Sequence, residues 1–149
     1  MIALRYWEDF RVGETFELGS VTIDGDEMMR FAQRFDPQPF HVDPVAAKDT
    51  PFGGLIASGW FTGSLFMRLY VEAVLSGAAS QGSPGLSELR WLAPVRAGDV
   101  LTGRLTVLDM APSSTRTTRG TVFMRGELVR AGEPVVTMTF RGLFGRRPE

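Results

Sequence analysis

From Leu55 to Leu75 the chain is apolar on nearly every side, and charge interrupts it only at Arg68 and Glu72. Two central charges argue against a membrane span, which takes about 20 predominantly apolar residues. The stretch instead predicts a long helix over Ser58–Leu75, apolar around most of its circumference. Such a helix is stable in water only when other elements surround it. Ser58 and Gly59 suit its N-terminal cap region and Gly77 its end. Arg68 and Glu72, four residues apart, pair on whatever strip reaches solvent.

The material to surround it lies on both sides. In the C-terminal half the hydrophobic pattern changes to period two. Leu101, Leu105 and Val107 alternate with Thr102, Arg104 and Thr106, which predicts a half-buried strand. Thr117–Arg130 repeats the pattern, with Val122, Met124 and Leu128 inward and Thr121, Arg125 and Glu127 outward. Val136, Met138 and Phe140 alternate with Thr137, Thr139 and Arg141 in a further strand. Arg96-Ala97-Gly98-Asp99 and Arg130-Ala131-Gly132-Glu133 read as turns in which glycine supplies backbone freedom. Upstream, a strand is expected around Glu14–Ile23 and a helix over Gly25–Phe35, with Met28, Met29, Phe31, Ala32 and Phe35 on one face. Leu86–Leu92 is left without an assignment. A sheet with one apolar side needs a cover and an apolar helix needs a wrap. The expectation is therefore α+β, one domain over residues 1–149, with a curved antiparallel sheet folded around the long helix. Pattern alone leaves other α+β arrangements open.

Composition narrows the classes of function. The 149 residues carry a formal net charge of −1, so there is no global basic field to attract nucleic acid. The chain has no cysteine, which excludes disulfides, thiolate metal sites and a cysteine nucleophile. Met1–Phe10 carries Arg5, Glu8 and Asp9 and lacks a long apolar core, so it does not read as a signal peptide, and a cytoplasmic location is expected.

The one histidine stands in Asp36-Pro37-Gln38-Pro39-Phe40-His41-Val42-Asp43-Pro44. An imidazole between two carboxylates, in a stretch stiffened by three prolines, is the best local candidate for acid–base chemistry. The alternative is a polar turn, because Asp-Pro pairs initiate turns. His41 and Asp43 have a metal-like spacing, but no second histidine or cysteine exists to complete a transition-metal shell, and no metal site is expected. Asp43 reads as the cap of a short helix over Pro44–Lys48. No nucleophile elbow or phosphate-binding loop is present.

The run FDPQPFHVDPVAAKDTPFGGLIASGW, Phe35–Trp60, resembles the signature of the MaoC-like dehydratases and R-specific enoyl-CoA hydratases, which have the hotdog fold. Leu92-Ala93-Pro94-Val95-Arg96-Ala97-Gly98-Asp99-Val100-Leu101 resembles the Pro-Val-x-x-Gly-Asp-x-Leu strand junction of the same family. The resemblance implies addition of water to an enoyl-CoA thioester, or the reverse, with Asp36 and His41 as the catalytic pair. It also implies a backbone N–H at Gly59 that holds the thioester oxygen. Ser64 matches a pocket serine of the hydratases, although on an apolar helix it can equally satisfy a local carbonyl. Two residues depart from the motif: Gln38 replaces its asparagine, and Ser58 replaces the histidine before the glycine. Trp60 is larger than the methionine usual there and would reshape the acyl pocket. Gly59, Ser64, Ser58 and Trp60 thus form the expected substrate-binding set. No cofactor is expected beyond the CoA thioester as substrate, and a homodimer or higher homo-oligomer is implied. Arg90, Arg116 and Arg119 are read as solvated surface, with CoA phosphates as the alternative. A thioesterase on the same fold and a non-catalytic acyl-thioester-binding protein remain as alternatives.

Overall fold

A computed structural model describes residues 3–149. Five antiparallel strands form one sheet in the order β1-β3-β4-β5-β2: β1 is Thr15–Thr22, β2 Gly85–Trp91, β3 Val100–Pro112, β4 Arg119–Arg130 and β5 Glu133–Gly145. Between β1 and β2 run four helices: α1 Gly25–Phe35, α2 Pro39–Val42, α3 Pro44–Lys48 and the long α4 Gly59–Ala73. The sheet bends around α4, which is the expected hotdog architecture.

Each ladder carries an irregularity, at Glu17/Gly19, Leu86/Glu88, Val107/Asp109 and Leu128/Val129. Bulges of this kind bend a strand and increase its twist, which lets a sheet close on a helix. The β4–β5 turn has two consecutive left-handed residues, Ala131 at φ 51° and Gly132 at φ 85°. That is the backbone a two-residue hairpin needs to match the twist of its strands.

From α4, Phe61, Phe66, Leu69 and Tyr70 enter a core with Leu101, Leu105 and Val107 of β3, Val122, Met124 and Leu128 of β4, and Val136 and Phe140 of β5. Burying a side chain such as Phe66 contributes about 1.5–3 kcal/mol. The helix approaches closely because Gly126 in β4 has no side chain: a Cβ there would lie 2.3 Å from Phe66 Cζ. The Tyr70 hydroxyl is buried against Met124 Sδ at 3.7 Å, and burial pushes its ionisation far above the usual phenol range.

Several expectations need correction. The long helix ends at Ala73, not Leu75, and Leu75–Gly77 forms a separate 3-10 turn. Nor is the helix covered all round, since Trp60, Ser64, Met67 and Val71 form an exposed stripe at helical spacing. Arg68 and Glu72 do pair on the exposed side. Phe35 is exposed at the end of α1, where the Arg34 guanidinium lies 4.8 Å from its ring centroid. Thr137 is buried, contrary to the outward reading, because it lies in register between Arg90 of β2 and Glu127 of β4. The unassigned stretch Leu86–Leu92 overlaps the edge strand β2, nearly all of which is exposed. No helix among the described residues is long and apolar enough to cross a membrane.

Candidate active site

Local capping rules position the polar residues. Asp24 caps α1, and the helix stops at Phe35, so Asp36 begins the turn with its backbone N–H donating to the Ala32 carbonyl. Pro39 opens α2, a single turn that carries His41 inward. Asp43 caps α3, accepting from Val45 N at 3.0 Å and Ala46 N at 3.1 Å. Its carboxylate is thereby committed to the backbone and to solvent, as the sequence suggests.

His41 is 5% exposed. Its Nδ1 lies 2.8 Å from the Ile56 carbonyl oxygen. A carbonyl only accepts, so Nδ1 carries the hydrogen and the tautomer is set. Nε2 then faces Asp36 Oδ2 at 3.2 Å. Two lone pairs would repel at that distance, so the contact is favourable when a proton lies between them. The imidazole and the carboxylate thus stand within hydrogen-bond reach of each other in the cavity wall.

Asp36 is also held from two other directions. Gln38 Nε2 donates to Oδ1 at 2.7 Å, and Ser58 Oγ donates to Oδ2 at 2.7 Å. Burial pushes the carboxyl up, but donation from Gln38 and Ser58 and the positive charge of His41 outweigh it, leaving Asp36 below the ordinary carboxylate range. Both departures from the family motif therefore converge on one carboxylate.

Ser58 also caps α4. Its Oγ accepts from Trp60 N at 3.3 Å, and its carbonyl accepts from Phe61 and Thr62. The Gly59 N–H has no protein acceptor among the described residues. It stands at the positive end of a 15-residue helix and lines the same cavity as Asp36 and His41. That cavity encloses about 440 Å³. Arg96 fastens one wall by donating to the Phe52 and Leu55 carbonyls, at 2.5 and 3.3 Å.

The other expected site residues take different places around the cavity. Ser58 is fully buried behind Asp36 and does not line the cavity. Ser64 lines the adjoining apolar cavity instead, and its hydroxyl donates to the Trp60 carbonyl at 2.8 Å, the local satisfaction open to a helical serine. Trp60 does line the cavity. Trp91, which no local signal in the sequence marks, lines it too. Its indole lies so close to Gly59 that a Cβ there would come within 2.1 Å of Trp91 Cε2. Phe40, Phe52 and Val95 add apolar wall. Arg90 pairs with Glu88 at 2.8 Å on the exposed edge. No cluster of metal-ligating side chains occurs among the described residues.

Comparison with known proteins bears on the family and the fold. The family model described as MaoC like domain matches residues 9–125. The chain is 30% identical over 145 residues to an (R)-specific enoyl-CoA hydratase of Rhodospirillum rubrum, covering 95% of this chain and 96% of that protein. It is 33% identical over 135 residues to a 3-hydroxybutyryl-CoA dehydratase of Methylorubrum extorquens, covering 88% and 82%. The crystal structure of a MaoC-like dehydratase from Rhodospirillum rubrum superposes with a TM-score of 0.88 at 38% identity, covering 97% of this chain and 99% of that one.

Proposed function

The chain belongs to the MaoC-like dehydratase family, and from that premise we propose that it is a hydro-lyase adding water to a trans-2-enoyl-CoA thioester, or removing it from the 3-hydroxyacyl product. The observation that carries the reading is the 3.2 Å contact between His41 Nε2 and Asp36 Oδ2, in a cavity that also presents the Gly59 N–H.

In the hydration direction, a water held by the pair attacks Cβ, forming a C–O bond as the double bond opens. The water's proton passes to the Asp36–His41 pair, and the pair returns a proton to Cα. Positioned acid–base groups of this kind contribute about 10²–10⁴-fold. As the electrons move toward the thioester oxygen, the Gly59 N–H donates to it, an interaction worth roughly 3 kcal/mol where a comparable donor has been removed. The reaction balances without an added cofactor or metal.

The protein acts as a homodimer. Strand β2 is an open edge with unpaired backbone groups, and Leu86 and Trp91 on it are exposed. Beside it runs the α4 stripe of Trp60, Met67 and Val71. A second copy meeting this surface by two-fold symmetry pairs the edges and covers the stripe together.

The test is a panel of enoyl-CoA and saturated acyl-CoA thioesters, followed by absorbance of the conjugated double bond and by release of free thiol. Loss of the double bond without thiol release is expected. Thiol release from saturated substrates without hydration would instead make the chain a thioesterase, and stabilisation by ligand with no turnover would make it a binding protein.

A further inference from the structure

A second cavity of about 490 Å³ lies next to the catalytic one, and its walls are mainly apolar. Three elements step from one cavity into the other in the same direction. Along α4 the lining passes from Gly59 to Gly63 and Met67; along β5 it passes from Val136 to Met138 and Phe140; along β2 it passes from Trp91 to Leu89 and Leu86. The two cavities therefore lie end to end in one groove between the helix and the β2–β5 edge. Trp60 is the one residue that lines both. Its indole meets Trp91 edge to face, with ring centroids 5.4 Å apart and planes at 80°. Trp91 is in turn seated against Gly59. The tryptophan pair thus stands across the groove where it leaves the catalytic cavity.

Resting on the hydratase reading, we propose that Trp60 is a specificity-determining residue that closes the apolar cavity to the acyl chain, so that the substrates are short-chain acyl thioesters. A thioester bound with its carbonyl at Gly59 directs its alkyl end along the groove. A chain of a few carbons ends before Trp60, whereas a longer one enters the second cavity only if the indole is displaced from its contact with Trp91. The cavity beyond is apolar and large enough for several methylenes, so the side chain sets the limit.

The test compares wild type, Trp60→Met and Trp60→Ala on four-carbon and eight-carbon trans-2-enoyl-CoA. Affinities for butyryl-CoA and octanoyl-CoA are measured alongside. Trp60 is 59% exposed on a single chain but lies on the face proposed for the second copy, so the melting temperature and the solution mass of each variant check that truncation leaves fold and assembly intact. Wild type is expected to favour the short chain, and both variants to raise the long-to-short ratio of kcat/KM by about tenfold or more, the discrimination a few apolar contacts supply. The affinity ratio should move the same way. Equal use of both chains by wild type, or an unchanged ratio in the variants, would overturn the proposal. If wild type hydrates neither thioester, the hydratase reading fails, while the affinity ratios still decide the role of Trp60.

Discussion

The Ser58 hydroxyl donates to Asp36 Oδ2 at 2.7 Å and accepts from the Trp60 N–H at 3.3 Å. One fully buried side chain thus connects the start of the central helix to the carboxylate. The two parts of the proposed chemistry, proton handling and oxyanion support, are held in fixed relation through it.

Removing that hydroxyl has a directional effect. Donors favour the charged carboxylate, so Ser58→Ala raises the Asp36 pKa and shifts the acid limb of the kcat/KM profile to higher pH. Gln38→Ala shifts it in the same direction. Both variants are expected to show the displaced limb. A limb that stays in place while the rate falls would mean that Ser58 acts only as a cap, a role worth about 1 kcal/mol.

The same linkage governs stability. Asp36 has a native pKa below its unfolded value, so its contribution is complete above the unfolded value and disappears as pH falls through the native one. Denaturant midpoints measured from neutral to acidic pH should fall more steeply for wild type than for Asp36→Asn. Parallel curves would assign the acid sensitivity to other carboxylates, among them Glu8, which is held below its ordinary range, against burial, by contacts with Arg147 and Arg146.

Gly59 is constrained by what lies on it. Gly59→Ala drives a Cβ into the Trp91 ring and is expected to cost about 1–3 kcal/mol, as overpacking does. Trp91→Ala in the same chain removes the opposing atoms, so the double variant should lose less than the two single losses summed. A double-mutant cycle in chemical denaturation measures this, and strict additivity would place the cost elsewhere.

The open edge gives a fourth expectation. Leu86→Lys puts a charge on β2 where the second copy is proposed to pair, and light scattering should show the mass falling toward that of one chain. A mass unchanged from wild type would move the interface away from β2.

How much was legible in the sequence follows from how local each signal is. Asp43 as a cap, Ser58 at the start of α4, and α1 over Gly25–Phe35 depend on neighbours a few residues away, and the structure has them there. The inward set of β3 and β4 is carried by alternation. Strand β2 escaped because the irregularity between Leu86 and Glu88 interrupts its period of two and most of the strand is exposed. Trp91 escaped because its contact with Gly59 joins residues far apart in the chain and leaves no mark on either neighbourhood. Gln38 and Ser58 were legible as departures, yet their shared target was not, because Ser58 reaches Asp36 across a 22-residue separation. Ser64 was carried to the pocket by resemblance, and it lines the second cavity while its hydroxyl bonds within its own helix, the local alternative the sequence also allows.

Hydration by the proposed route requires Asp36 and His41 together to move one proton. The most direct measurement is the rate of double-bond loss from an enoyl-CoA with wild type and with Asp36→Asn, whose amide nearly preserves shape but gives up the charge. Asp36→Asn is expected to stay folded at neutral pH, with a melting temperature lowered only by the loss of the carboxylate's contacts with His41, Gln38 and Ser58, and to turn over about 10²-fold or more slowly. Turnover by Asp36→Asn at the wild-type rate would contradict the proposed route.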